Sequence, residues 1–305
     1  MASVRFSIII TFHNQGAFIH DALESALSQR HANYEIIVVD DASTDGSVEI
    51  LKQYADKITV ERLVVNRGAC GARNRGAALA SGEYLVFLDG DDAFLPWALE
   101  VYQKIVEAKK PAMVLALMSW FTGRLPAARM GDAPKEITVV DYSDYLRRDR
   151  TFGHSASSMV FTREAFANVG GWLEGFFPAE DYDMALRLGV SGRTILILSP
   201  ATILHRAHAS NTINSVSSFV PALKHLLHRE KLGYYPGGAT RSFERRALIG
   251  QMVFHWTKRA ARSGLYGNAI DLQARSSQMF LASISRKLGL LLFGKQPAEI
   301  IKMRN

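Results

Sequence analysis

Cysteine is all but missing from this chain: Cys70 stands alone among 305 residues. A single thiol can form no internal disulfide, so the fold needs no covalent staple and suits a reducing compartment. Long apolar runs are missing too. The stretch Leu288 to Phe293 is broken by Gly289 and falls far short of the roughly 20 residues needed to cross a bilayer. The opening MASVRFSIII is interrupted by Thr11, His13 and Asn14 before a secretion-signal core can form. No secretion and no membrane span are therefore expected, and the chain reads as cytoplasmic. There is no internal repeat and no low-complexity tract, which sets aside solenoids and disordered chains. Neither GxGxxG nor GxxxxGK[ST] occurs, which argues against a nicotinamide enzyme or an ATPase.

What is present is ordinary globular material, 48% apolar and 21% charged, with ample substance for a core. The length lies at the upper end for one hydrophobic core and predicts a large α/β domain carrying an appendage, with two tandem domains as the alternative. The formal charge of +7 is unevenly spread. Residues 241–305 hold 12 lysines and arginines against 3 acids, a net of +9 that leaves −2 for residues 1–240. Interleaved with Phe254, Trp256, Phe280 and Leu290 to Phe293, this basic tail fits an anionic membrane surface, which makes peripheral attachment at the inner face an expectation. A solvated helical face over a packed core face fits the same pattern.

The first 110 residues alternate strands and helices. Val4–Thr11, Glu35–Val39, Thr59–Val65 and Tyr84–Leu88 read as buried strands, each a short β-branched or apolar run. Helices are predicted over 17–29, 47–54 and, after a glycine-rich segment from Asn66 to Gly76, over a short piece ending at Ala80. Pro96 to Lys109 reads as a further helix. Near-continuous apolar strands in β-α-β order imply a mostly parallel sheet covered on both faces. Ligands of such sheets bind at the carboxyl ends of the strands, where the polar clusters Thr11–Asn14, Asp40–Asp45 and Asp89–Asp92 all fall. Beyond Pro111 the pattern is less regular. It predicts a strand over 113–121, a turn into a helix over 135–148, strands over 157–161 and 194–198, a helix over 180–188, and a helix-rich region after about Ser215.

Two carboxylates one residue apart, Asp89 and Asp91, at a strand exit call for something positive between them. A hard divalent cation, Mg²⁺ or Mn²⁺, held by one or two carboxylates together with substrate phosphates is one answer. A strand-ending turn is the other. Arg67, Arg73 and Arg75 stand in the neighbouring glycine-rich segment, where they would contact a phosphate or base, or balance the acids as ion pairs. Glu180, Asp181 and Asp183 open a helix, either as reacting groups or as favourable charges at the positive end of its dipole. Trp172 lines a pocket or anchors a loop, and Cys70 reads as packing.

In order along the chain, Thr11-Phe12-His13-Asn14, Val39-Asp40-Asp41-Ala42-Ser43, Asn66-Arg67-Gly68 with Ala72-Arg73-Asn74, Phe87-Leu88-Asp89-Gly90-Asp91-Asp92, Gly170-Gly171-Trp172 and Glu180-Asp181 with Arg187 closely resemble family 2 glycosyltransferases of the GT-A fold. The resemblance covers roughly residues 4–210. It implies a glycosyltransferase domain over residues 1–215, divided near residue 110 into nucleotide-binding and acceptor halves, with a basic helical region over 216–305. It also implies that Thr11 and His13 flank the donor nucleotide, that Asp41 bonds its base, that Arg73 lies against base or phosphates, and that Asp89 contacts the ribose. Asp91 of the DXD motif would hold the metal, with His208 as a second candidate ligand. Glu180 would support and Asp181 act as general base, while Arg187 and Arg206 would close over the diphosphate.

The implied reaction is metal-dependent, inverting hexosyl transfer from a nucleotide-diphosphate sugar, a UDP-sugar by family habit, to a glycan or lipid-linked acceptor in surface-polysaccharide assembly. One carboxylate base suffices for a single in-line displacement, and no second nucleophile suggests retention. A catalytically inactive scaffold and a nucleic-acid-binding protein are the rivals. Against the latter, the positive charge lies in the tail while the crevice is acidic, so no nucleic acid is expected as partner.

Overall fold

The computed structural model describes residues 3–126, 131–150, 152–209 and 211–303. All seven residues of the first strand, β1 (Phe6–Phe12), are buried. That requires cover on both faces. Strands β2 (Tyr34–Asp40), β3 (Thr59–Arg62) and β4 (Tyr84–Asp89) flank it in the order β4-β1-β2-β3, all parallel. The connecting helices are α1 (Ile19–Leu27), α2 (Ser47–Leu51) and α3 (Gly68–Leu79). Register sets Thr11 level with Val39 on one side and Asp89 on the other, so three strand ends finish together.

Several expectations need correction here. The helix expected only after the glycine-rich segment from Asn66 to Gly76 begins within it, since α3 starts at Gly68. Its glycines serve close packing: a Cβ on Gly76 would lie 2.4 Å from Ile9 Cγ2, so only glycine lets α3 sit this near β1. Strand β3 stops at Arg62, because Val64 and Val65 point into solvent and gain nothing from continuing. Helix α2 ends at Leu51 in a 3₁₀ turn over 52–54.

The second half is mixed. After β5 (Ala93–Phe94) and α4 (Ala98–Lys109), the single strand expected over 113–121 is two. β6 (Met113–Leu115) joins the large sheet, while β7 (Met118–Phe121) joins a small one with β5 and β11 (Ile203–Arg206), a strand not anticipated. The helix expected over 135–148 is a strand, β8 (Glu136–Tyr142), followed by one 3₁₀ turn. The β-branched run Ile137-Thr138-Val139-Val140 suits a pleated surface better than a helix, and β8 is clasped between β10 (Thr194–Ser199) and β12 (Glu299–Lys302). β9 (Met159–Thr162) runs antiparallel to both β4 and β6. The nine-stranded order is β12-β8-β10-β6-β9-β4-β1-β2-β3. The parallel block is thus confined mainly to the first four strands.

Helices α5 (Arg163–Asn168), α6 (Glu180–Arg187), α7 (Val216–Lys231), α8 (Ser242–Arg262), α9 (Tyr266–Arg275) and α10 (Ser277–Phe293) complete the chain. One core lies on each face of the sheet, as alternation along β1 requires: Phe6, Ile8 and Ile10 face α1 and α4, whereas Ile9 faces the side covered by α6, α7 and α8. The C-terminal region therefore shares a core with the strands, and β12 returns to the sheet edge, which the helical reading of 216–305 did not foresee. No helix among the described residues is long and apolar enough to cross a membrane.

Helix α8 crosses α10 at Gly250, where a Cβ would fall 2.1 Å from the Met279 carbonyl oxygen. Gly250→Ala is expected to cost about 1–3 kcal/mol through overpacking, seen as a fall in Tm of several degrees. An unchanged Tm would mean that the two helices separate without penalty.

Candidate active site

The loops leaving β1 and β2 are zipped together. Asn14 N–H donates to Ser43 Oγ at 2.9 Å, Thr44 N–H to Asn14 Oδ1 at 2.8 Å, and Gly16 N–H to Asp45 Oδ2 at 3.0 Å. His13 Nδ1 lies 2.8 Å from the Asp41 carbonyl oxygen. Asn14 and Ala42 both take left-handed backbone with φ of 52° and 60°. For Ala42 that conformation costs about 1–2 kcal/mol, which the surrounding bonds must hold in place. Asp41 is buried and accepts the Arg67 N–H at 2.7 Å through Oδ1. Thr11, His13 and Asp41 all line one cleft of about 500 Å³.

The exit of β4 supplies three acids with three different settings. Asp89 Oδ1 accepts a 2.6 Å bond from Arg73 Nη2 and keeps part of its side chain exposed. Asp91 lies with Oδ2 2.9 Å from His208 Nε2, whose ring stacks on Phe18 at 4.9 Å. Burial pushes the Asp91 carboxyl up to about 6, helped by the negative charges of Asp92 and Asp89 and opposed by the His208 bond. Asp92 is wholly buried, accepting from Ser157 Oγ at 2.8 Å and the Arg206 N–H at 3.1 Å, with His205 Nδ1 2.9 Å away. Burial pulls the His205 pKa down, but the bond and charge of Asp92 outweigh it, and the net direction is up.

From the other side α6 brings Glu180 and Asp181 to the same cleft. Arg73, buried to 3% exposure, spans the two halves with Nη1 2.9 Å from Glu180 Oε1. Asp181 accepts the Tyr182 N–H at 2.7 Å. Burial raises its pKa well above the usual carboxylate value, with the Glu180 charge adding to the rise. Asp183 instead points inward, to Arg187 Nε at 2.6 Å and Tyr235 Oη at 3.0 Å.

Thr11, His13, Asp41, Arg73, Asp89, Asp91, Glu180, Asp181 and His208 thus share one cleft. Two arginines lie elsewhere than the resemblance implies. Arg187 is held by Asp183 and the Val169 carbonyl and is not among the cleft-lining residues. Arg206 is buried, with its guanidinium on the Asp91 carbonyl at 2.9 Å, on Asp21 Oδ2 at 2.6 Å and on the Gly123 carbonyl, between the Phe18 and Phe121 rings. It braces the Asp91 loop, and those contacts occupy the head group that would meet a diphosphate. Of the three arginine side chains in the 66–76 segment only that of Arg73 reaches the cleft acids, for the Arg67 guanidinium pairs with Glu174 and that of Arg75 with Glu61. Trp172 is a buried anchor whose backbone exchanges two 2.8 Å bonds with the Asn74 amide. Cys70 is buried, and burial, aided by the Glu180 charge, pushes its thiol up to about 12, which makes it inert packing.

Sequence reasoning missed Asp92, His205, Ser157 and Phe18 as supports. The third acid after Asp89-Gly90-Asp91 was a visible signal, since three acids at one strand exit cannot all face a ligand. Among the described residues no three His, Cys, Asp or Glu side chains converge as a preformed metal cage. Asp91 puts one carboxylate on the cleft wall, a donor that fits an Mg²⁺- or Mn²⁺-like ion completed by substrate oxygens, and His208 beside it adds an imidazole, a donor less typical of so hard an ion.

A parallel block ending in these acids thus faces a second acidic pair across a buried arginine. A sequence model described as Glycosyl transferase family 2 matches residues 7–170, and the chain belongs to that family. A glycosyltransferase of Haemophilus influenzae is 31% identical over 189 residues, covering 60% of this chain and 61% of that protein. The chain thus spans about three fifths of that relative's length. The protein of Escherichia coli called putative colanic acid biosynthesis glycosyl transferase WcaA is 28% identical over 231 residues, covering 74% and 81%. Residues 1–349 of S. aureus TarS, solved with UDP-GlcNAc, superpose with a TM-score of 0.69 at 18% identity, over 90% of this chain and 81% of that one. The mannosyltransferase PcManGT of Pyrobaculum calidifontis, solved with GDP-Man and Mn²⁺, gives 0.56 at 17% identity, over 94% and 88%. These likenesses establish the GT-A fold.

Proposed function

We propose that this protein moves a sugar from a nucleotide-diphosphate sugar, a UDP-sugar in the first instance, to a hydroxyl of a glycan or lipid-linked acceptor with inversion at the anomeric carbon. The observation that carries the proposal is the meeting of Asp41, Asp89, Asp91 and Arg73 with Glu180 and Asp181 in one cleft at the ends of parallel strands. Thr11, His13 and Asp41 contact the nucleoside, and Asp89 reaches the ribose. Asp91 and His208 are the residues that would hold a divalent cation, whose charge would stabilise the departing diphosphate. Asp181 accepts the proton of the acceptor hydroxyl as that oxygen bonds to the anomeric carbon and the bond to the diphosphate breaks. Arg73 fixes Asp89 and Glu180, and Arg206 fixes the Asp91 loop, so both position rather than react.

The UDP preference and a role in surface-polysaccharide assembly find support in what the names of WcaA and TarS record of those proteins. Attachment to the cytoplasmic face of a membrane finds support in α10, where Leu288, Leu291, Leu292 and Phe293 stand largely exposed near Lys287 and Lys295. Co-sedimentation with vesicles containing phosphatidylglycerol should drop severalfold in a Leu292→Glu, Phe293→Glu variant, and equal sedimentation would remove the attachment.

The test of donor class is calorimetric titration with UDP, GDP, CDP and dTDP, each with Mn²⁺ and with chelator. One nucleotide should bind in a metal-dependent way. Asp91→Asn should lower that affinity by about 10²-fold or more, as loss of a charge-assisted ligand at a phosphate site implies. Metal-independent binding, or unchanged affinity in the variant, would remove Asp91 from the metal. No binding of any of the four would turn the reading towards an inactive scaffold.

A further inference from the structure

Beside the acidic cleft lies a second cavity of about 520 Å³, a volume ordinary for a small-molecule site. Leu117, Met118, Phe152, Leu248, Ile249 and Met252 supply most of its apolar wall, from the β6–β7 link, the segment before β9 and helix α8. The two cavities are contiguous, because His154, Ser155, Tyr182, His205 and Trp256 line both. The junction lies on the Asp181 side. Tyr182, which follows Asp181 on α6, lines both cavities, whereas Asp181 itself, like Thr11, Asp41 and Asp89, lines only the acidic cleft.

The charge of the two walls differs sharply. Five carboxylates, Asp41, Asp89, Asp91, Glu180 and Asp181, line the cleft, and none lines the second cavity, whose ionisable residues are Arg148, Tyr145, Tyr182 and three histidines. Buried His154 is neutral there, since burial and then the Arg148 charge push its pKa down to about 3. A glycan presents hydroxyls on every side and calls for paired polar partners. Gln251 is the one carboxamide in this wall. The larger part of the wall is apolar and suits a hydrocarbon, while Arg148, His154, Ser155 and Gln251 leave polar groups for the head that joins it.

We propose that the acceptor is an amphiphile: its hydrocarbon portion occupies the cavity between α8 and the β6–β7 link, and its hydroxyl-bearing head passes the His154–Trp256 junction to reach Asp181. The proposal rests on the glycosyl-transfer reading of the cleft and specifies its acceptor. Leu248 and Met252 then contribute selectivity from the C-terminal region, far in sequence from the donor site.

The test compares octyl β-D-glucoside, kept below its micelle concentration, with methyl β-D-glucoside by calorimetry on the full chain holding UDP and Mn²⁺. The octyl compound should bind at least about 100-fold more tightly, given the methylenes it removes from water. Leu248→Trp and Met252→Trp each fill the cavity and should cut that preference at least about tenfold while UDP affinity stays as in the parent protein. Leu291→Glu on the outer face of α10 should change nothing. Equal binding of the two glucosides overturns the proposal, as does a preference that survives either filling in a folded variant. Loss of the preference in Leu291→Glu overturns it as well, because the chain would then sit on the α10 surface. The UDP titration in the same series is read separately: failure of the wild-type protein to bind UDP would strike the donor reading, while the glucoside comparison still reports on the cavity.

Discussion

Asp181→Asn should lower the turnover number of sugar transfer by about 10²- to 10⁴-fold, the usual contribution of a positioned general base, with nucleotide affinity in Mn²⁺ unchanged. Asparagine is nearly isosteric and can still accept the Tyr182 N–H that holds the present side chain at 2.7 Å. The backbone of α6 therefore has no reason to move. What disappears is the capacity to take a proton from the acceptor hydroxyl. Because Asp181 makes no bond to Arg73, Asp89 or Asp91, the donor side keeps its geometry. Single-turnover measurement with donor pre-bound separates the two effects. Transfer within tenfold of wild type would exclude Asp181 as the base, and a matching loss of nucleotide affinity would recast it as a binding residue.

The pH profile carries a second signature of the same role. Burial and the Glu180 charge raise the Asp181 pKa, so the reactive carboxylate form is lost as pH falls through that raised value rather than through the usual carboxylate range near about 4. The acid limb of kcat should rise with unit slope at a pH above that range and vanish in Asp181→Asn. An acid limb confined to the ordinary carboxylate range would show that another group controls it.

How much of this was readable in advance differs between the halves of the chain. From Phe6 to Asp89 each strand is buried on both faces and so appears as an unbroken apolar run with a polar end, which makes both the element and the ligand end of the sheet legible. The same logic located Asp41, Asp89 and Asp91, since acids directly after such runs have nowhere to go but the strand ends. Past Pro111 that logic fails. β8 and β12 owe their state to each other across a long separation in sequence, and no local pattern announces such a pairing. The glycine-rich α3 was misread because its helical packing depends on the close approach of Gly76 to Ile9, a tertiary fact. Ion-pair choice was equally hidden: Arg67, Arg73 and Arg75 look alike in sequence, and only the placement of Glu174, Glu180 and Glu61 assigns them.

Arg73→Met should destabilise the fold by about 3–5 kcal/mol, the cost of removing one partner from a buried ion pair. Arg73 and Glu180 are both nearly inaccessible to water, and the same guanidinium also neutralises Asp89 at 2.6 Å. Methionine fills the space but leaves Glu180 among buried groups with another carboxylate, Asp181, next to it in sequence. Burial already raises the Glu180 pKa despite Arg73, whose charge opposes the rise. Losing that charge raises it further. A carboxyl whose folded pKa exceeds its unfolded value favours the folded state while protonated and loses that advantage as pH climbs through the folded pKa. The deficit of Arg73→Met should therefore be smaller at pH about 5 than at pH about 8, measured by urea unfolding at each. Adding Glu180→Gln should recover part of the loss at the higher pH, because it removes the charge that was left unpaired. Arg73→Lys should fall between, since one ammonium cannot span Glu180 and Asp89 as the planar fork does. A deficit under about 1 kcal/mol, or one that does not change with pH, would mean that Arg73 holds the two halves of the cleft by packing against Trp172, 5.3 Å from its guanidinium carbon, rather than by charge.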